Sequence, residues 1–198
     1  MSVVSRPGGR TAETTRRIFA ATLALLVEGG LAACGFLAVA ERAGVGRATL
    51  YRRWSSRAAL VLDALAAHLE GAVSVRDTGS FATDLRALVD DIASFLQSPL
   101  GRAAVAAVAE QRMEDALEPT SFWRARLTAV TPVFERAVAR GEVAADCDRE
   151  ALLACALGPL YFRTLVMGMP IDVNWVDRVF RQLFDNRAGR VAGTRAPG

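Results

Sequence analysis

The chain is predicted to be all-α, with about nine helices. Of its 198 residues 52% are hydrophobic, mostly Ala and Leu, with few aromatics and few β-branched runs, a composition that favours helix. Apolar residues recur at i, i+3 and i+4 rather than alternating, and Pro or Gly closes each periodic stretch. No segment carries a clear strand pattern.

Taken in order, residues 1–10 form an arm with Pro7, Gly8 and Gly9 whose arginines, Arg6 and Arg10, suit phosphates or a minor groove and equally suit a solvated terminus. Ile18, Ala21, Leu25 and Leu26 predict a helix over Thr11–Glu28, ended by Gly29 and Gly30. A second helix is expected from near Gly35 to Ala43 and a third from about Gly46 to Trp54. After Ser55 and Ser56 a fourth starts at Arg57, capped by Ser56, runs past His68 and buries Leu60, Val61, Ala64 and Leu65. The polar stretch Arg76–Ser80 marks a boundary, so residues 11–70 are read as one domain and 71–186 as another. The second holds helices over Phe81–Gln97, Gly101–Leu117, Pro119–Arg140, Arg149–Met167 and Val173–Phe184, with Asp148 an N-cap and Gly141 a C-cap. Residues 187–198, rich in Gly, Arg and Pro, are expected to be disordered.

The most specific stretch is Val39 to Arg57, VAERAGVGRATLYRRWSSR. Gly44 falls where the second helix must stop in a left-handed conformation, and Val45 follows as the plug of a turn. Val39, Ala40, Ala43, Val45, Leu50 and Trp54 form a small core, which leaves Arg47, Thr49, Tyr51 and Arg52 to other directions. That is the layout of a helix-turn-helix DNA reader. Any amphipathic helix pair with a Gly joint gives similar spacing, but charge supports the reader. Residues 1–57 carry nine Arg against three Glu, while residues 58–198 carry fifteen Arg against eighteen acids. All basic residues are Arg and none is Lys, which reads as compositional bias.

Other classes are disfavoured. Cys34, Cys147 and Cys155 lack zinc-site spacing and stand apart from the single histidine, His68, so no metal and no cofactor is expected. Cys147 and Cys155 lie eight residues apart, which on one helix would be about two turns, too far for a disulfide. The adjacent acids Asp90–Asp91 and Glu114–Asp115 point apart on their helices, and no enzymatic activity is expected. Without a secretion signal or a run of about 20 apolar residues, the chain is expected in the cytoplasm with no membrane partner.

In the second half, two helices are apolar over more than one face. Leu153, Leu157, Leu160, Val176, Val179, Phe180 and Leu183 suggest an intersubunit bundle, the alternative being helices central in their own domain. Phe95, Met113, Phe122, Trp123, Phe134, Tyr161, Phe162 and Met167 could line a cavity for a hydrophobic ligand; a plain core explains them as well.

These features resemble the TetR family of bacterial transcriptional regulators over nearly the whole chain. The likeness lies in Ala40 to Val45, Thr49-Leu50-Tyr51, Trp54, Ser56-Arg57 and Gly158 to Gly168. It implies a three-helix helix-turn-helix DNA-binding domain joined by a linking helix to a C-terminal ligand-binding and dimerisation bundle. By that resemblance Arg47, Ala48, Thr49, Arg52 and Arg53 face the major groove, while Tyr51 and Arg57 bind phosphates. The implied protein is a homodimeric repressor on a palindromic, double-stranded operator, released by an unidentified small-molecule effector. The alternative is a ligand-independent regulator or activator whose second half serves only dimerisation. Gly35 and Gly46 depart from the family's Ser or Thr caps, and Leu37 stands where a polar residue often touches DNA.

Overall fold

The computed structural model describes residues 7–72, 75–114 and 121–190, with side chains over 11–70, 75–110 and 127–184. The described residues form α1 (Pro7–Ala33), α2 (Phe36–Ala43), α3 (Arg47–Arg53), α4 (Arg57–Ala72), α5 (Phe81–Gln97), α6 (Pro99–Glu114), α7 (Ser121–Ala139), α8 (Arg149–Tyr161) and α9 (Val173–Arg190). A π-helical segment, Phe162–Val166, extends α8, and no strand is present among these residues. No single described helix is long and apolar enough to cross a membrane. Of the arm expected over residues 1–10, residues 7–10 already belong to α1, and of the tail expected to be disordered over 187–198, residues 187–190 continue α9; the rest of both, residues 1–6 and 191–198, lies outside the described residues.

The chain divides into two compact units, one of residues 1–72 with 98–124, the other of residues 73–97 with 125–198. In the first, α1 packs on α2, α4 and α6. Its core holds Ile18, Ala21, Val39, Ala40, Ala43, Leu50, Trp54 and Leu60, with Val45 only partly buried at its edge. Helix α1 is broken at Gly29 and Gly30, the latter at φ +66°, close to the predicted end. Ser56 caps α4 as expected, its Oγ accepting from the Ala59 amide at 3.1 Å. Helix α6 packs with α1 and α4 and buries Ala104, Val105 and Ala107. Its Ala-rich, weakly patterned sequence carries no local sign of which partner it will choose.

In the second unit, α8 packs on α5 and α9. Leu85, Leu88, Phe134, Leu152, Leu160 and Val176 are buried there, and the Phe81 ring stands 5.4 Å from that of Phe134. Asp148 caps α8 by accepting from the Ala151 amide at 2.9 Å, and Gly141, at φ +72°, ends α7 as predicted. Asp84 is a buried carboxylate at the start of α5. It accepts from the Thr78 amide at 2.6 Å and hydroxyl at 2.7 Å, and Arg140 and Arg136 approach it at 3.3 and 3.5 Å. Burial pushes its pKa up, but the Thr78 and Arg140 hydrogen bonds and the Arg136 charge outweigh burial and hold it below the ordinary carboxylate value.

A depressed carboxyl stabilises the fold above its unfolded pKa, and that contribution is lost as pH falls through the folded value. Asp84→Ala should cost about 3 kcal/mol at neutral pH, because it leaves paired groups without their counter-charge. Urea titrations at pH 7 and across the acid range check this: the wild-type advantage over the variant should shrink as pH drops below the usual Asp range.

Candidate nucleic-acid interface

The reader is assembled around one turn. Helix α2 ends on Gly44 at φ +62° and ψ +45°, and its amide and that of Val45 donate back to Glu41 and Ala40 carbonyls at 3.2 and 3.0 Å. This closes the orphan carbonyls of the helix end and lets α3 start after two residues. The Gly44 carbonyl is taken by Arg17 of α1, whose Nη2 donates at 2.8 Å. Neither α2 nor α3 has a side-chain cap, since Gly35 and Gly46 offer no acceptor. The resulting loss against Ser or Thr is a few tenths of a kcal/mol per helix.

Helix α3 buries Leu50 completely, and Trp54, just beyond it, is also buried. The Trp54 indole Nε1 donates to Asp63 of α4 at 2.8 Å, and the Phe19 ring lies 6.0 Å away. On the other side Arg47, Ala48, Tyr51, Arg52 and Arg53 are exposed and Thr49 is half-buried. Tyr51 is 68% exposed, yet its ring is not loose: the Phe36 ring meets it edge-on at 4.9 Å. The Arg53 guanidinium stacks over Trp54, 4.5 Å from the ring centroid, a geometry that holds a planar cation at the end of the helix. Arg57 is exposed at the first position of α4. The residues proposed to touch DNA thus lie along α3 and at the first position of α4 in one compact head, with the guanidinium and phenol groups exposed. Such groups suit phosphates and the acceptor-rich edge of guanine.

Residues 18–64 match the family described as bacterial regulatory proteins, tetR family, and residues 75–183 match the family described as Tetracyclin repressor-like, C-terminal domain. The chain belongs to the TetR family. It is similar to the HTH-type transcriptional regulator AqdR of Rhodococcus erythropolis, with 36% identity over 83% of this chain and 81% of that one. A DNA-binding transcriptional repressor of Mycobacteroides abscessus is 30% identical over 82% of this chain and 87% of its own. Among solved structures, TetR family transcription regulator SCO0332 superposes with a TM-score of 0.70 at 26% identity, covering 87% of this chain and 97% of the other. The family and these relatives are transcriptional regulators, not enzymes, and the protein is a helix-turn-helix, DNA-binding regulator of that type.

The second unit of this TetR regulator arranges the remaining candidate residues differently from a simple cavity. Phe134 is buried in the core against Phe81. Phe95 and Tyr161 are half-buried, whereas Phe162 and Met167 are more than half exposed. The side chains of Met113, Phe122 and Trp123 lie outside the described residues. A cleft of about 240 Å³ is lined instead by Leu85, Leu152, Leu183 and Phe184 together with Cys147, Asp148 and Cys155. Cys147 precedes α8 rather than riding on it, so the two thiols share a cleft and not a helix face. Of the residues given to a subunit interface, Leu153, Leu160, Val176 and Phe180 are buried inside the unit, and Leu157, Val179 and Leu183 are half-buried. A helix apolar all round because it is central has the same pattern as one awaiting a partner, so sequence could not separate the two. Among the described residues no group of His, Cys, Asp and Glu could hold a metal ion.

Two substitutions separate the roles on the reader. Arg57→Ala should weaken binding to every DNA sequence alike and reduce the slope of log affinity against log salt by about one per subunit, measured by fluorescence anisotropy. Arg47→Ala should abolish selective binding while leaving the thermal transition in place, because the side chain is exposed.

Proposed function

We propose that the protein is a homodimeric repressor that leaves a palindromic operator in the cytoplasm when a small molecule binds its C-terminal unit. The observation that carries the DNA-binding half of this reading is the exposed face of α3, where Arg47, Tyr51 and Arg52 surround a helix whose opposite side is buried through Leu50. Arg47, Ala48, Thr49, Arg52 and Arg53 are assigned to the major groove, and Tyr51 and Arg57 to phosphates. Two heads on one duplex would enter successive grooves roughly 34 to 36 Å apart.

Support for the dimer comes from the end of α8 and the segment after it. Phe162, Leu165, Val166, Met167, Met169 and Val173 are 42 to 69% exposed, a run of large apolar side chains that a monomer leaves in water. The repressor sense follows the similarity to the Mycobacteroides repressor. The effector is assigned to the second unit, where the largely apolar cleft fits a small hydrophobic molecule. Its effect on DNA affinity is bounded by its differential affinity for the DNA-bound and free conformations.

Anisotropy on the DNA flanking the protein's own gene, across a salt series, tests the reading. Tight, salt-dependent binding to a palindrome at two subunits per site is expected; no binding even at low salt overturns it. Val166→Asp should convert the dimer to monomer in sedimentation equilibrium and weaken operator binding with it. An unchanged dimer would remove this face from the interface.

A further inference from the structure

We propose that the cleft of the second unit captures a small, neutral, apolar electrophile covalently, with the Cys155 sulfur as the nucleophile. The inference rests on the assignment of the effector to this unit, and it names the chemical class of that effector and how it is held.

Two thiols open onto one cleft of about 240 Å³. Asp148, Ala151, Leu152, Cys155 and Ala156 line it from α8 and its cap, a spacing of three and four residues that makes one helix face, so Cys155 lies on the cleft side of its helix. Leu183 and Phe184 of α9 and Leu85 of α5 supply the other walls. The helix rises about 10 Å between the Asp148 cap and Cys155, and Cys147 precedes that cap, so the two thiols are too far apart to pair as a disulfide. The third thiol shows what a cysteine used only for packing looks like here. Cys34 is fully buried, its sulfur 3.6 and 3.5 Å from the Thr22 and Gly30 carbonyl oxygens, whereas Cys155 is exposed and Cys147 half-buried.

The lining then narrows the occupant. Leu85, Leu152, Leu183 and Phe184 select apolar surface. The Asp148 carboxylate, which caps α8 through the Ala151 amide at 2.9 Å, repels an anion, and no cation stands among the described lining residues to receive one. A neutral molecule that also gains from a thiol is one with an electrophilic carbon, such as a conjugated enone. Its addition balances within the pair. The Cys155 sulfur bonds to the carbon β to the carbonyl, the thiol proton ends on the α carbon, and nothing leaves, so no oxidant is needed. The apolar walls hold the double bond beside the sulfur before reaction, which raises the rate above that of a free thiol.

The test uses the full chain carrying Cys147→Ser and two reagents with the same reacting double bond, the apolar N-phenylmaleimide and the anionic maleimidopropionate. Each rate of adduct formation at Cys155, followed by mass spectrometry, is divided by the rate in urea, where the cleft is gone. With N-phenylmaleimide the rate should saturate with concentration and exceed that with maleimidopropionate about tenfold. Ala151→Trp, at an exposed helical position on the cleft face, should fill the cleft and remove both the saturation and the preference, with its circular dichroism melt unchanged. Adding Cys155→Ser should abolish labelling of the native protein. Complete labelling should lower operator affinity in the anisotropy assay about tenfold. A rate linear in N-phenylmaleimide and equal for the two reagents marks Cys155 as an exposed thiol only and overturns the proposal. Saturable, selective labelling that leaves operator affinity unchanged overturns instead the effector role of the cleft, with the capture site standing.

Discussion

At Gly44 the chain reverses at φ +62°, and the carbonyl exposed by that reversal is held by the Arg17 guanidinium at 2.8 Å. A residue with a Cβ would meet steric cost in this conformation, so the turn is a place where backbone freedom and not side-chain chemistry decides the fold. The angle between α2 and α3 follows from it. So do the burial of Leu50, the outward direction of Arg47 and Tyr51, and the contact between Phe36 and Tyr51. Arg17 adds a tie from α1, which otherwise meets the pair through apolar contacts of Ile18 and Ala21. The reader is therefore a single rigid piece at its turn, fixed from three helices.

Its far end is fixed by different means. Trp54 joins the core through its ring, α4 through its indole N–H, and Arg53 through the ring face. One side chain thus serves as core residue, hydrogen-bond donor and cation platform, and the helix ends where that side chain needs to be. In the second unit the comparable anchor is ionic. Asp84 gathers Thr78, Arg136 and Arg140, tying the stretch that leads into α5 to the end of α7. The reader's far end is thus held by ring packing and one indole hydrogen bond, whereas the second unit carries a buried carboxylate whose charge its neighbours require.

What could be read from sequence alone was what is decided locally. Gly44, Ser56, Gly141 and Asp148 each stop or start a helix through groups within four residues, and each does so in the structure. The inward set Val39, Ala40, Ala43, Leu50 and Trp54 follows from spacing on two short helices with one possible turn between them. Choices made over long distances were not legible. Which unit recruits α6 depends on partners far away in the chain, and the wide apolar faces of α8 and α9 do not say whether they meet each other or a second subunit. The π-helical segment after Tyr161 has no residue signature, since its i to i+5 pairing, with the Met167 amide donating to the Phe162 carbonyl at 3.1 Å, is set by the packing around it. Cys147 stands just before the Asp148 cap and Cys155 on α8, as the predicted start of that helix at Arg149 implies.

The three cysteines are divided between the two units in a way that has a practical outcome. Cys34 is fully buried in the head, and desolvation raises its thiol pKa to about 11, so almost none of it is thiolate at neutral pH. Cys155 is exposed and Cys147 half-buried, both in the other unit. A thiol-directed dye or spin label is therefore confined by the native fold to the C-terminal half. The protein carries its own reporter position there, while the DNA-reading half stays chemically silent without any cysteine being removed.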